Sequence, residues 1–272
     1  MAPRDASTVV LLREGDRLPG GLEVYLLRRS AGMAFAAGYC VFPGGGVDPR
    51  DDEAGIGWAG PSAQQWADQL GTSADHARGL VCAAVRETFE ESGVLLAGPT
   101  PDTLVADTTG DDWEEDRRRL EAREVAFSGL LRRRGLVVRT DLLRWWGSWV
   151  TPEQEPRRYD TRFFVARLPE GQVTRDVSTE SDEVHWLAVR DALDAVDSGR
   201  LTMLPPTYVT CLELRPFLTP EEALAAAAHR DRSTVQPRLA GGRVELPPRI
   251  EALLRDHAEA RGAAQPVAWS PL

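Results

Sequence analysis

The chain has 272 residues, 42% hydrophobic and 27% charged, which is material for a real core in one enlarged domain or two small ones. Its formal net charge of −10 excludes tracking along nucleic acid, which calls for a basic surface. A small phosphorylated ligand stays open, because a bound metal can supply positive charge locally. The start, MAPRDASTVVLLREG, lacks the long apolar core of a signal peptide, and no later run approaches a membrane span. Cys40, Cys82 and Cys211 are far apart and odd in number, so reduced structural thiols in a cytoplasmic protein are expected.

Thr8 to Leu12 (TVVLL) and Leu22 to Leu27 (LEVYLL) are β-rich runs joined by REGDRLPGG, whose glycines and proline predict a turn and a first hairpin. Arg28, Arg29 and Ser30 leave the second strand, where the arginines either face a phosphate or are solvated. Gly38 to Phe42 reads as a short strand running through Pro43 into Gly44-Gly45-Gly46. Such a triplet lets the backbone approach a ligand closely or take positive φ. The acidic turn VDPRDDE and a short helix, Ser62 to Leu70, follow.

Leu80 to Val94 (LVCAAVRETFEESGV) is the most informative stretch. At 3.6 residues per turn, Val81, Val85 and Phe89 form one apolar stripe with Cys82, and Glu87, Glu90 and Glu91 gather on the other side. Arg86 reaches Glu90 at i+4, and Gly93 ends the helix. Three carboxylates on one turn repel each other unless something positive sits among them. Mg²⁺ or Mn²⁺, hard cations that take oxygen ligands, are the candidates, against the alternative of a solvated face.

Pro99 to Thr140 is highly charged. Within it Asp111 to Arg134 carries acids early and arginines late, which suits the helix dipole and predicts one or two helices ending at Gly135. This run is either a solvated face or a basic platform for an anionic ligand. Leu143 to Pro152 holds Trp145, Trp146 and Trp149, as core, interface or a stacking surface. Arg157 to Leu168 reads as a strand covered on both faces, with Phe163 and Val165 opposite Phe164 and Ala166.

Glu180 to Leu187 is an acidic loop entering another strand, in which His185 is read as structural. Asp191 to Asp197 and Tyr208 to Phe217 read as helices, with Pro205-Pro206 interrupting between them. From Thr219 the chain predicts a capped alanine-rich helix, a hairpin within Val235 to Pro247 and a last helix, Ile250 to Arg261. This extension, about 219–272, packs on its own chain or mediates dimerisation. No internal repeat is present.

Arg86-Glu87-x-x-Glu90-Glu91-x-Gly93-Val94 resembles the second half of the Nudix box, R-E-U-x-E-E-x-G-U, with Thr88 in the first apolar slot. Five fixed positions match by chance roughly once in a million windows, so coincidence is set aside. Phe42-Pro43-Gly44-Gly45-Gly46 resembles the first half. Counted back from Arg86, the compact pattern G-x5-E-x7-R-E would put its glycine on Thr72 and its glutamate on Arg78. The halves are therefore separated by an insertion, about 48–79, which is either a lid or a surface excursion. Asp48, Asp51, Asp52 and Glu53 remain open as replacements for the displaced glutamate. A second insertion spans about 99–142.

This arrangement resembles the branch containing the peroxisomal coenzyme A diphosphatases of animals. Their upstream signature, L-L-T-x-R-[SA]-x3-R-x3-G-x3-F-P-G-G, is matched by Leu26, Arg29, Ser30 and Gly38, with Ala34 in place of the second arginine. The ending Ser270-Pro271-Leu272 has proline where a peroxisomal signal needs a basic residue. The resemblance covers roughly Thr8 to Phe217 and is most specific over Gly38 to Leu96.

The resemblance implies an α+β Nudix fold, a mixed sheet sandwiched between helices, as a single domain over 1–272. It implies hydrolysis of a diphosphate linked to another moiety. Glu87, Glu90 and Glu91 would hold Mg²⁺ or Mn²⁺, and Arg86 would orient them. Glu87 is the favoured base, with Glu180 or Glu183 as alternatives, while Arg28, Arg29 and Gly44 to Gly46 would face the substrate. CoA or acyl-CoA is the first expected substrate. NADH, ADP-ribose or a nucleotide sugar is second, and a non-catalytic nucleotide sensor is the alternative of a different class.

Overall fold

The computed structural model describes residues 2–15, 21–33, 36–51, 55–241 and 243–269. The expected first hairpin is there: β1 (Arg4–Glu14) pairs antiparallel with β2 (Leu22–Arg29), Leu12 opposite Val24. Most of its turn, and Ala34, Asp52 and Glu53, lie outside the described residues. The glycine-rich run supplies β3 (Cys40–Val41) against β2 and β4 (Gly44–Gly46) against β1.

The first insertion forms β5 (Gly57–Ala59) and α1 (Ala63–Leu70), the latter closed by a Ser62–Gln65 capping box. Next come α2 (Ala74–Ser92) and β6 (Ala97–Gly98). The charged stretch gives two helices, α3 (Asp111–Glu121) and α4 (Phe127–Arg134), and Gly135 caps the second. After β7 (Val137–Arg139) come β8 (Arg144–Val150), β9 (Tyr159–Arg167), β10 (Ser181–Ala188) and α5 (Val189–Asp197).

The helix expected over Tyr208 to Phe217 is α6 (Pro205–Leu214), and the prolines expected to separate it from α5 instead form its first turn, because a first-turn residue has no intrahelical use for the missing N–H. The tail adds α7 (Pro220–Ala226) behind the Thr219–Glu222 capping box, a hairpin of β11 (Arg238–Ala240) and β12 (Arg243–Glu245), and α8 (Pro248–Ala260).

Among the described residues the main sheet runs β10-β2-β1-β9-β8, with the β1–β9 pair parallel and the other neighbours antiparallel. A smaller sheet, β5-β7-β6, ties the first insertion to the segment after α4. Alternation along β9 decides the layering. Phe164 and Ala166 pack with Trp66, Val81, Val85 and Phe89 from α1 and α2, while Phe163 and Val165 pack with Tyr208, Leu212 and Leu254 from α6 and α8. The mixed sheet is thus covered by helices on both faces.

The tail packs on its own chain, with Ile250 and Leu254 in the second core and His257 on Asp197 at 2.9 Å. Cys40, Cys82 and Cys211 are buried free thiols, and burial pushes Cys40 up to about 11 and Cys211 up to about 12. Among the described residues no helix is long and apolar enough to cross a membrane.

Phe164 is fully buried, with its ring edge-on to Trp66 at 5.7 Å. Phe164→Ala should lower unfolding free energy by about 3–5 kcal/mol in urea titration, whereas Leu218→Ala, at an exposed position, should stay within about 0.5 kcal/mol.

Candidate active site

Helix α2 runs through the interior, and this is why its carboxylates are not a solvated face. The apolar stripe of Val81, Val85 and Phe89 is fully buried, and so are Ala83 and Ala84 on the other side. Arg86, Glu90 and Glu91 are buried as well, at 6–8% exposure. The helix stops at Gly93, whose φ of 74° is the left-handed conformation that glycine adopts without steric cost.

The Arg86–Glu91 turn abuts β4. Glu91 accepts a hydrogen bond from the Gly44 N–H at 2.7 Å, and Arg86 donates to the Gly46 carbonyl at 2.8 Å. The Arg86 guanidinium also reaches Glu87 at 2.8 Å, Glu90 at 3.1 Å and Asp51 at 2.9–3.1 Å. Of the two described acids among those left open, Asp51 engages Arg86, whereas Asp48 pairs with Arg50 at 2.7 Å.

Burial drives the electrostatics. It pushes Glu87 up to about 7, against the pull of Arg86, and raises Glu90, Glu91 and Asp51 as well. Burial works to lower Arg86, but Glu87, Asp51 and Glu90 outweigh it and its pKa ends raised. Buried carboxylates that resist ionisation gain most from a nearby cation. Their oxygen-only donor set suits a hard divalent ion.

Gly45 lies so close to Glu87 that a Cβ there would come within 2.5 Å of its Oε1, so the glycine leaves the carboxylate its space. Among the described residues no three acidic, histidine or cysteine side chains already converge as a closed metal cage. Arg86 sits between Glu87 and Glu90, and Glu91 is turned to Gly44. These residues fit an ion that keeps part of its shell as water or substrate oxygen.

The turn opens into a cavity of about 630 Å³. Arg29, Gly44, Gly45, Gly46, Arg86, Glu87, Glu90, Glu91 and Glu180 line it. Arg28 and Glu183, the other site expectations, do not. They oppose each other across β2 and β10 and pair at 2.9 Å, with Arg28 exposed and Glu183 half-buried. Strand alternation explains the difference: Arg29 shares a parity with Tyr25 and Leu27, which face α2, while Arg28 follows Val24 and Leu26 on the other face.

No described residue of the 48–79 insertion lines the cavity. Trp66, Ala67 and Leu70 are apolar and bury against the core, which holds α1 there. Of the three clustered tryptophans only Trp149 reaches the cavity wall, whereas Trp146 is buried and donates to Glu213 at 2.9 Å. Sequence reasoning missed Arg117, which is buried and donates to the Glu90 carbonyl at 2.7 Å, fixing α3 beside the acidic turn. It carried no signal beyond its place in a charged run.

Comparison with known proteins gives a family model described as NUDT19 Nudix domain, matching residues 62–214. The acyl-coenzyme A diphosphatase NUDT19 of Gallus gallus is 28% identical over 265 residues, covering 79% of this chain and 68% of that protein. The Homo sapiens protein of the same name is 27% identical over 233 residues, covering 72% and 61%. The putative nudix hydrolase 7 of Caenorhabditis elegans is 26% identical, covering 75% and 57%, so this chain is shorter than all three relatives. The crystal structure of a NUDIX hydrolase from Alicyclobacillus acidocaldarius superposes with a TM-score of 0.70 at 30% identity, covering 83% of this chain and 96% of that one.

The adjacent glycines should separate stability from function. A Cβ on Gly44 would meet the Ser7 carbonyl at 2.5 Å and the Thr8 Cα at 2.8 Å, both backbone. Gly44→Ala should therefore lower Tm by several degrees, roughly the effect of 1–3 kcal/mol of forced backbone shift. Gly45→Ala meets only the movable Glu87 carboxylate and should keep Tm. Its turnover should nonetheless drop by about tenfold to a hundredfold, since displacing a reacting group by about 1 Å is that costly.

Proposed function

The chain belongs to the Nudix hydrolases, in the family described as NUDT19 Nudix domain, and on that premise we propose that this diphosphatase cleaves CoA or acyl-CoA with Mg²⁺ or Mn²⁺. The products would be 3′,5′-ADP and phosphopantetheine or its acyl form. The observation that carries the reading is the turn of half-buried Glu87 and buried Glu90 and Glu91, set against Gly44–Gly46 beside a cavity of about 630 Å³. The names of the chicken and human relatives and the upstream match at Leu26, Arg29, Ser30 and Gly38 support the CoA half of it. Ala34, standing where the CoA signature has a second arginine, favours NADH, ADP-ribose or a nucleotide sugar as the second reading.

Glu87, Glu90 and Glu91 would hold the ion. A bound divalent ion neutralises the diphosphate and makes water a better nucleophile. The chain's own groups do the rest. Arg86 holds Glu87 and Glu90 at set distances while Asp51 holds Arg86, so the carboxylates meet the substrate already oriented. The strand Gly44–Gly46 brings backbone close to the diphosphate without side-chain obstruction. Glu87, with a pKa near neutrality, is our first choice to take the proton of the attacking water, and Glu180 at the cavity wall is the alternative. Arg29 faces the same space and would meet a phosphate.

Incubation with CoA, acyl-CoAs, NADH, ADP-ribose and nucleotide sugars, followed by mass spectrometry, tests the substrate. Release of phosphopantetheine or its acyl form, abolished by chelator and restored by Mg²⁺ or Mn²⁺, is the expected result. Exclusive turnover of another diphosphate would replace the substrate while keeping the mechanism. Glu90→Gln and Glu91→Gln should each reduce kcat roughly a hundredfold, since ion-borne charge stabilisation is worth several kcal/mol. Parent-like rates in both would remove the assigned site.

A further inference from the structure

Arg123, just beyond α3, sits in the left-handed backbone region at φ 59°, where a residue with a side chain is uncommon and strained. Strain of that kind persists only where neighbours over-determine it, and here they do. Upstream, Arg117 donates to the Glu90 carbonyl at 2.7 Å and to Glu121 at 3.0 Å, pinning the end of α3 to the acidic turn. The Arg123 N–H donates to the Leu120 carbonyl at 2.8 Å. On the other side its carbonyl accepts from Arg50 at 3.4 Å. Arg50 grips Asp48, whose N–H donates to Asp51 at 2.9 Å, and Asp51 is the clamp on Arg86. Arg123 is thus tethered from both flanks to the groups that orient the acidic turn.

Its side chain is exposed and lines the same cavity. In that cavity Arg86 is committed to carboxylates and Arg29 lies 3.6 Å from Glu180. Among the described residues the Arg123 guanidinium has no ion pair or hydrogen bond. Arg157 also lines the cavity without an ion pair, but it has neither the tethers nor the left-handed backbone. The walls carry Glu87, Glu90, Glu91, Glu121, Glu155 and Glu180, so a polyanionic substrate entering there needs uncommitted positive charge.

Resting on the diphosphatase reading, we propose that Arg123 is a substrate-binding residue that takes a phosphate oxygen of the bound nucleotide. That oxygen belongs either to the scissile diphosphate or to a separate phosphate monoester, such as the 3′-phosphate of a CoA-type substrate. A guanidinium is suited to this because its planar fork matches two phosphate oxygens at once.

The test compares Arg123→Ala, Arg123→Gly and Arg123→Lys with the parent in steady-state turnover and in Tm. Glycine removes the cation while relieving the backbone, so Arg123→Gly should have a Tm at or above the parent's, which guards against a folding artefact. Both Ala and Gly variants should raise KM about tenfold or more while kcat stays within about threefold, and Lys should recover part of the loss. A purely structural Arg123 predicts a parent-like KM in the Gly variant, and that result overturns the proposal.

Comparing CoA with dephospho-CoA separates the sources. A KM rise on CoA alone assigns the monoester, and a rise on both assigns the diphosphate. Calorimetric binding of inorganic pyrophosphate with Mg²⁺, alone and with 3′,5′-ADP as a second ligand, does not depend on turnover. Weaker binding of either by the Ala and Gly variants supports the proposal even if the substrate guess fails, and equal binding of both rejects it. A parent that neither binds nor hydrolyses any of these ligands overturns the proposal together with the reading beneath it.

Discussion

One buried guanidinium organises the catalytic end of the molecule. Arg86 distributes its donors over Asp51, Glu87, Glu90 and the Gly46 carbonyl, and thereby joins the first insertion, the acidic turn and the glycine strand. Removing an isolated carboxylate from water is costly, and three on one turn of an interior helix would be more so. Arg86 offsets part of that cost. It cannot balance three carboxylates and Asp51 together, and burial, aided by the neighbouring carboxylates, raises the pKa values of Glu87, Glu90 and Glu91. A site built this way would gain from a divalent ion, because its own cation is insufficient.

The same geometry explains why glycine, and not merely a small residue, follows Phe42-Pro43. Strand β4 is squeezed between β1 and α2, with the backbone of Ser7 and Thr8 on one side and Glu87 on the other. The Gly44 N–H is donated to Glu91, so the strand serves as sheet, as helix anchor and as cavity wall together.

How much of this could be read in the sequence depended on how local the determinant was. The acidic helix, the two-faced strand β9, the Thr219 capping box and the terminal hairpin all follow from spacing within a few residues, and each was legible. Arg28 and Arg29 are separable only by strand parity, and at the end of a strand the pattern that fixes which parity faces the helix runs out. Helix α6 starts at Pro205 and not at the expected Tyr208, because the same residue that breaks a helix interior suits its first turn. Asp51 was out of reach: an insertion had removed the fixed spacing, and four acids within a few positions are equivalent until the chain folds.

The two inserted segments also changed meaning on folding. A long loop beside a site suggests a lid, yet α1 carries Trp66, Ala67 and Leu70 to the interior, and β5 completes a small sheet with β6 and β7. The charged stretch is solvated in part, with Asp112, Glu115 and Arg118 exposed, and much of its charge is paired. Asp116 pairs with Arg133 and Arg134, and Arg117 with Glu114 and Glu121, so most of its charge is cancelled between and within α3 and α4. What these pairs achieve is stiffness. Arg117 also holds α3 against the Glu90 carbonyl, and Asp51 holds the insertion against Arg86, so the acidic turn is braced from two sides. Carboxylates that repel one another are thereby kept from splaying apart, as the proposed ion site would need.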